Sequence, residues 1–157
     1  MINMKRRTFL KGSVAAGAVG AAVSAGLMTP RLVMAAWPTA AFDATSVDGA
    51  LDALTGSHAL EGSDKISIRA PDIAENGAVV PVSVTTTIAN TESISILAAK
   101  NAVPLTASFV LGKGAEGFVS TRIKMGKTSS VVAVVKAGGK LYSTDKEVKV
   151  TIGGCGG

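Results

Sequence analysis

Cysteine and histidine each occur only once in the 157-residue chain, as Cys155 and His58. A single cysteine cannot close a disulfide within the chain, so the fold does not depend on one. A single histidine is too little for a multi-histidine metal centre, and it makes His58 the only base available to a classical triad. The surrounding "GSHALEG" indicates a loop histidine beside Glu61, just past a helix. We therefore predict neither a metal site nor a catalytic centre in this chain.

Clustered positive charge is missing from most of the chain. The net charge is +5, from sixteen Lys and Arg against eleven Asp and Glu. Five of the basic residues and none of the acidic ones lie in 1–35, so the remainder is balanced. Nucleic-acid binding needs clustered cations for the phosphates and, for single strands, aromatic platforms. We therefore exclude nucleic-acid binding. The few aromatic residues after residue 35 are Trp37, Phe42, Phe109, Phe118 and Tyr142.

The first 35 residues have the pattern of an export signal. Arg6 and Arg7 precede "TFLK", which resembles the twin-arginine motif. An Ala/Gly-rich stretch then leads to small residues suited to signal peptidase, with cleavage expected after Ala35. Glycines interrupt the apolar stretch, which favours a cleaved leader over a stable membrane anchor. We predict a twin-arginine signal peptide over 1–35 and a periplasmic location.

Periodicity predicts a short helix in an N-terminal extension over residues 36–64. In "TSVDGALDALTGS", apolar residues recur at helical spacing, at Val47, Ala50, Leu51 and Leu54. Thr45 or Ser46 can cap the start and Gly56 can end the helix. Residues 36–44 are expected to be irregular.

From Lys65 onward an alternation with a period of two predicts about seven short strands. "SSVVAVVKA" is apolar on both faces, as a central strand should be, and Gly138-Gly139 is a plausible hairpin turn. The pattern predicts an all-β, immunoglobulin-like antiparallel β-sandwich over 65–152, followed by an arm over 153–157. The residues expected to point inward include Ile66, Ile68, Val80, Val82, Val84, Ile88, Ile94, Ile96, Phe109, Val119, Ile123, Val148, Val150 and Ile152.

The stretch "GKGAEG" matches a dinucleotide-binding fingerprint through Gly112, Gly114 and Gly117. That fingerprint binds a pyrophosphate only where a helix begins, because the helix N-terminus supplies the amides. Here the following "FVSTRIKM" has strand periodicity. We interpret the glycines as a flexible hairpin loop and reject a nucleotide site.

The closing stretch "VKVTIGGCGG" carries the strongest functional signal. A structural free cysteine is normally buried among apolar groups, but the flanking Gly153, Gly154, Gly156 and Gly157 offer Cys155 no such neighbours. A prenyl anchor would need the cysteine one place earlier. Five residues extend at most about 17 Å, and glycines would let them enter a narrow channel. We interpret 153–157 as a flexible, substrate-carrying arm whose thiol is activated by other enzymes.

The stretches "KVTIGGCGG", "PDIAENGAVVPVSV" (71–84) and "STRIKM" (120–125) resemble the SoxY family, the sulfur-carrier subunits of bacterial Sox systems that oxidise thiosulfate. The resemblance implies a carrier rather than an enzyme, with Cys155 as the covalent attachment point of sulfur intermediates. It also implies an immunoglobulin-like fold and a stable heterodimer with the β-protein SoxZ.

Further partners follow from the same resemblance. It implies transient contacts with SoxAX, which would couple thiosulfate to Cys155, and with SoxB, which would release sulfate. In some organisms a sulfane dehydrogenase would act as well. Haem, manganese and molybdenum are expected only in these partners, and no cofactor in this chain.

Two other functions remain open from the residues alone. The terminal Gly156-Gly157 is also typical of ubiquitin-like carriers, whose last carboxylate becomes a thiocarboxylate, although an export leader disagrees with cytoplasmic activation. The third possibility is an exported immunoglobulin-like interaction module that dimerises through Cys155.

Overall fold

The computed structural model describes residues 38–151 as two packed β-sheets with two short helices. The helices are α1 (Thr39–Asp43) and α2 (Val47–Thr55). The strands are β1 (Leu60–Gly62), β2 (Ile66–Arg69), β3 (Ile73–Ala74), β4 (Val80–Thr86), β5 (Thr91–Ala98), β6 (Leu105–Val110), β7 (Phe118–Ile123), β8 (Ser129–Ala137) and β9 (Lys140–Val150). The predicted all-β immunoglobulin-like sandwich is confirmed. The described region has two strands more than predicted, because β1 and β3 are only three and two residues long.

Strand pairing divides the strands into two sheets. Sheet A has the order β1-β9-β8-β5-β6, and sheet B has the order β2-β4-β7. Neighbouring strands are antiparallel, except that β1 and β3 both pair with β9 in parallel. β1 covers the beginning of β9 and β3 covers its end.

The main core lies between the two sheets. Alternation along β4 buries Val80, Val82 and Val84 and leaves the residues between them exposed or half-buried. The other residues predicted to point inward and described by the structure are buried or half-buried here too. Ile88 does so without belonging to a strand: β4 ends at Thr86, whose Oγ1 accepts the Ile88 N–H at 3.2 Å as the chain turns. Ile88, predicted to point inward with Val80, Val82 and Val84, therefore packs on the core from beyond the end of the strand.

A second core lies on the other side of sheet A, under the helices. Val134 of the central strand β8 is buried there with Leu97, Leu105 and Leu141, against Ala50 and Leu51 of α2. Its neighbours Ala133 and Val135 face the main core. β8 is therefore apolar on both faces because it is buried on both, as predicted.

The caps of α2 match the prediction. Ser46, one of the two candidates, accepts the Gly49 N–H on its side chain at 3.1 Å. Gly56 ends the helix with a φ of 81°, and its N–H donates to the Asp52 carbonyl at 2.9 Å. The positive φ explains why glycine stands at this position.

The expectation of an irregular segment over 36–44 was wrong where the structure describes it. Residues Thr39–Asp43 form α1. The Pro38 carbonyl accepts the N–H groups of Ala41 and Phe42, and the fully buried Ala41 packs in the second core. Five residues are too few to show a helical period, so packing rather than pattern stabilises this helix.

The β8–β9 hairpin turns at Gly138 and Gly139, as predicted. Ala137 pairs with Lys140, so the loop has two residues, and both glycines have positive φ, 58° and 76°. A type I′ turn requires this conformation at both central positions. No helix within residues 38–151 has the length and apolarity needed to cross a bilayer.

Candidate functional site

The predicted carrier residue and export signal lie outside the described residues. This applies to Cys155, to its flanking glycines at 153, 154, 156 and 157, and to Arg6 and Arg7. The structure does show where the described chain ends, at Thr151 directly after β9. We call the stretch Lys149–Thr151 the arm root, because the predicted arm follows it.

The arm root is hydrogen-bonded on both sides. On one side it meets β3, where the Asp72 carbonyl accepts the Lys149 N–H at 2.9 Å and the Ala74 carbonyl accepts the Thr151 N–H at 3.1 Å. On the other side, backbone pairing with β8 stops at Ser129 and Val148. Two of the three backbone amides of the arm root thus donate to β3 or the residue before it, and the third, that of Val150, donates to a side chain.

That contact is made by the side chain of Thr128. Its Oγ1 accepts the Val150 N–H at 2.9 Å and lies 3.4 Å from the Val150 carbonyl oxygen. One hydroxyl therefore continues the ladder beyond the last backbone pair. The chain is fixed up to its last described residue.

Gly77 packs directly against the arm root. Its carbonyl accepts the Met125 N–H at 2.7 Å. A Cβ added to Gly77 would clash with the Met125 carbonyl oxygen and lie 2.8 Å from Val150 Cγ1. The Asn76-Gly77 pair does form a turn, with the Asn76 side chain accepting the Ala78 N–H at 2.9 Å. Glycine is needed here for the close approach of three chain segments.

One ion pair secures the loop before β3. Lys146 of β9 lies 2.9 Å from the Asp72 carboxylate, and its Nζ donates to the Ala70 carbonyl at 2.7 Å. Because Asp72 also accepts the Lys149 N–H on its backbone, Lys146 helps to hold the segment that covers the arm root.

His58 lies far from the arm root. Its Nδ1 is 2.9 Å from Asp52 Oδ1, and its side chain is 57% exposed. The hydrogen bond to Asp52 and the charge of that carboxylate raise the pKa of His58 above its usual range. As predicted, His58 lies in a loop just past a helix. Glu61, three residues further on, pairs with Lys140 at 2.9 Å.

Distance prevents His58 from acting on the Cys155 thiol. Leu60, two residues after His58, pairs with Leu141 at the start of β9. The nine residues from Leu141 to Val150 span about 30 Å. Cys155 is four residues from Thr151 and can reach at most about 14 Å from it. Within residues 38–151 no three potential ligands cluster as a metal site would require.

The glycine-rich loop has no phosphate-binding geometry. β7 begins at Phe118, directly after Gly117, so no helix N-terminus is available. The prediction of a hairpin was wrong, because the loop crosses from β6 of sheet A to β7 of sheet B. It borders a cleft of about 740 Å³ with Ile88, Thr91 and Leu111. β5 pairs Thr91 with Ala137, which places this cleft at the end of the sandwich away from the arm root.

Sequence reasoning missed the groups that fix the arm root. Thr128 sits before a strand and gives no periodic signal, and β3 is too short for one. The "NG" dipeptide was the only available sign, and it revealed a turn without revealing what packs on it.

The fold and the C-terminal sequence together define a class of protein. It is a small β-sandwich whose last strand is followed in sequence by Gly-Gly-Cys-Gly-Gly. The family model "Sulfur oxidation protein SoxY" matches residues 51–155, a range that ends at Cys155. The chain belongs to the SoxY family.

A solved structure agrees with this assignment. The chain is similar to the sulfur carrier protein SoxY from Chlorobium limicola f thiosulfatophilum, with 48% sequence identity and a TM-score of 0.62. The match covers 68% of this chain and 97% of that one. None of the curated proteins compared with the chain matches it.

Proposed function

We propose that this chain is a periplasmic sulfur carrier that holds thiosulfate-derived intermediates covalently on the Cys155 thiol. The observation that carries the proposal is the family match ending at Cys155, on a chain whose domain is fixed up to Thr151. A firmly held root and a short glycine-flanked end are what a protein needs to present one thiol to several enzymes. In this proposal the domain holds the base of the arm, and the partner enzymes catalyse the reactions.

The loading step joins two sulfur atoms. The Cys155 thiol loses its proton and forms an S–S bond to the sulfane sulfur of thiosulfate, giving a Cys-S-S-sulfonate. Two electrons leave in this step, and a c-type cytochrome partner of the SoxAX kind would accept them. Coupling is therefore an oxidation that this chain cannot perform alone.

The release step is a hydrolysis. Water attacks the terminal sulfone sulfur and the bond between this sulfur and its sulfur neighbour breaks, which releases sulfate and two protons and leaves a persulfide anion on Cys155. A hydrolase of the SoxB kind would catalyse this step, and a dehydrogenase could then oxidise the remaining sulfur. Stable pairing with SoxZ belongs to the same proposal, as do export by the signal at Arg6 and Arg7 and the absence of a cofactor in this chain.

The described residues offer no competing chemistry. His58 is too far from the arm root to act as a base, and no metal-ligand cluster exists within residues 38–151. A thiol without a local base is mostly protonated at neutral pH and reacts slowly until an enzyme site activates it, which limits unwanted reactions between encounters.

Replacing the thiol tests the proposal. Cys155→Ser should keep the melting temperature of the wild type, because residue 155 follows the fixed root, and should abolish thiosulfate-dependent respiration. Undiminished respiration of cells carrying only this variant would disprove the carrier role. Intact-mass analysis of protein from thiosulfate-grown cells separates the alternatives. A sulfur-oxyanion or polysulfide adduct on Cys155 supports the proposal, a thiocarboxylate at Gly157 supports a ubiquitin-like carrier, and a disulfide dimer alone supports a dimerising module.

A further inference from the structure

The outer face of sheet B is not covered by any element of the described region. Every second residue of β2, β4 and β7 points away from the main core, and both helices lie on sheet A. This open face and the residues that directly continue its strands carry four cations and two half-exposed apolar side chains. We call it the basic face and define it by Lys65, Arg69, Arg122, Lys124, Val79 and Phe118.

The basic face has charge of one sign. β2, β4 and β7 contain no Asp or Glu. None of the ion pairs found among residues 38–151 involves a cation of the basic face. Seven of the eleven acidic residues lie on the helices and on sheet A, at Asp43, Asp48, Asp52, Glu61, Glu92, Asp145 and Glu147. The other four border the open face or β3 without lying on the strands of sheet B: Asp64, Asp72, Glu75 and Glu116. The strands of sheet B are thus positive, with acidic residues only at their margin.

Between the cations the surface is rich in hydroxyls. Ser83 pairs with Ser120 across β4 and β7, and their Oγ atoms lie 2.9 Å apart. Arg69 and Arg122 flank this pair, since Arg69 pairs with Ser83 and Arg122 with Pro81. Cations on both sides of a hydroxyl pair fit a broad surface of opposite charge.

The basic face extends to the end of the sandwich that carries the arm root. Met125, next to Lys124, donates its N–H to Gly77, and Gly77 packs on Val150. Val79 lies two residues after Gly77. Because Cys155 can reach only about 14 Å from Thr151, an enzyme that takes up the arm must approach this end of the domain.

We propose that the basic face is a transient docking surface for enzymes that take up the arm, recognised by an acidic surface beside their active-site opening. The inference rests on the carrier function proposed above. The three strands are four, seven and six residues long, and at about 3.3 Å per residue and 4.8 Å between strands they offer roughly 270 Å². A stable complex buries about 800 Å² on each partner, so this face suits brief, electrostatically steered encounters. A carrier that serves several enzymes in turn must dissociate quickly from each of them.

Charge reversal tests the docking surface in the enzymatic loading reaction. We expect Arg122→Glu and Arg69→Glu each to lower kcat/KM for the carrier by about five- to tenfold at low salt, mainly through KM. The difference should shrink between about 50 and 500 mM NaCl as screening increases. Lys113→Glu is the matched control, because Lys113 is an exposed cation in the β6–β7 loop, outside the basic face. It should stay within about twofold of the wild type. Reaction of Cys155 with a small neutral thiol reagent should be equal in all four proteins.

Equal losses in the control and in the two arginine variants would overturn the proposal, as would variants whose kcat/KM is unchanged at low salt. A wild-type carrier that is not loaded at all would count against the proposed function instead. In that case a separate experiment tests whether the basic face binds an acidic partner. A peptide of about ten glutamates is added to the full chain, and the shifts of the amide signals are followed by NMR. Shifts concentrated on β2, β4 and β7 support it, and shifts spread over all exposed lysines overturn it.

Two alternatives are that the loaded arm or the partner subunit covers the basic face. Amide NMR and hydrogen exchange distinguish both from transient docking. If S-sulfonation of Cys155 alone shifts the amide signals of Arg69 and Arg122, the face holds the loaded arm and the proposal is wrong. If these amides are protected from hydrogen exchange in the purified complex with the partner subunit, the face is a permanent interface and the proposal is also wrong. Unshifted and unprotected signals in both experiments support transient docking.

Discussion

The two sheets present opposite outer faces built with the same alternation of residues. Sheet A buries Val134, Leu97 and Leu141 under α1 and α2, whereas sheet B exposes hydroxyls and cations such as Ser120 and Arg122. In both sheets every second residue faces the shared core. The difference lies in the other half of the residues, which are apolar where a helix covers them and polar where solvent does. One face of the sandwich thus contributes to stability, and the other remains available to partners.

A charge placed on each outer face should give the largest contrast. Val134→Asp would bury an unpaired carboxylate in the second core, which costs about 3–5 kcal/mol. Thr85→Asp puts the same side chain on the open face of sheet B, where it should cost less than about 1 kcal/mol. Urea denaturation of both variants measures the difference. Similar losses would mean that the helices do not cover sheet A as described.

Truncation of a large side chain should give a smaller contrast of the same sign. Leu51 is fully buried between α2 and sheet A, and Leu51→Ala should lower the free energy of unfolding by about 2–5 kcal/mol. Phe118 is 50% exposed on the basic face, and Phe118→Ala should cost about 1 kcal/mol or less. Denaturant midpoints of the two variants report the effect. A larger loss at Phe118 would contradict the assignment of stability to the helical side.

Removal of the N-terminal cap of α2 should lower the free energy of unfolding by less than the Leu51 truncation does. Ser46→Ala removes the acceptor for the Gly49 N–H at the start of α2 and should cost about 1 kcal/mol. The matched control is Ser67→Ala on the exposed face of β2, expected within about 0.5 kcal/mol of the wild type. Thermal unfolding of both proteins tests the pair. An equal effect of the two changes would show that the cap does not stabilise α2.

The smallest effect should be a pH dependence confined to the helical side. Asp52 raises the pKa of His58, so their interaction stabilises the folded state fully below the unfolded value of about 6.5. The contribution is lost as pH rises through the raised folded value. NMR titration of the His58 ring should show the raised pKa, and Asp52→Asn should lower it. Glu61→Gln should leave it unchanged, because Glu61 pairs with Lys140. A titration unaffected by Asp52→Asn would refute this assignment.

Local patterns predicted the elements that burial determines. β8 was identified as a central strand because both of its faces are apolar, and the fold confirms burial on both. Gly138-Gly139 and Ser46 were identified because a tight hairpin and a helix start each demand particular residues. These signals are local, so a single sequence contains them.

Features that depend on distant contacts were not predictable. α1 forms because Ala41 packs against α2 and sheet A, and β3 forms because two residues lie beside the end of β9. The partner of each strand, and the role of Thr128 at the arm root, depend on segments far apart in sequence. Cys155 is the reverse case, since the composition around it led to the proposal of a carrier role, while the described structure stops at Thr151.

The parallel pairing of β1 and β3 with β9 has a consequence for solubility. A long edge strand invites pairing with another molecule, which leads to aggregation. The two short strands cover Leu141–Ser143 and Lys149–Val150. The uncovered part between them contains Asp145, Lys146 and Glu147 in succession. Charged side chains at an open edge disfavour the addition of a further strand. The strand that precedes the glycine-rich terminus is thereby protected from pairing edge to edge with another molecule.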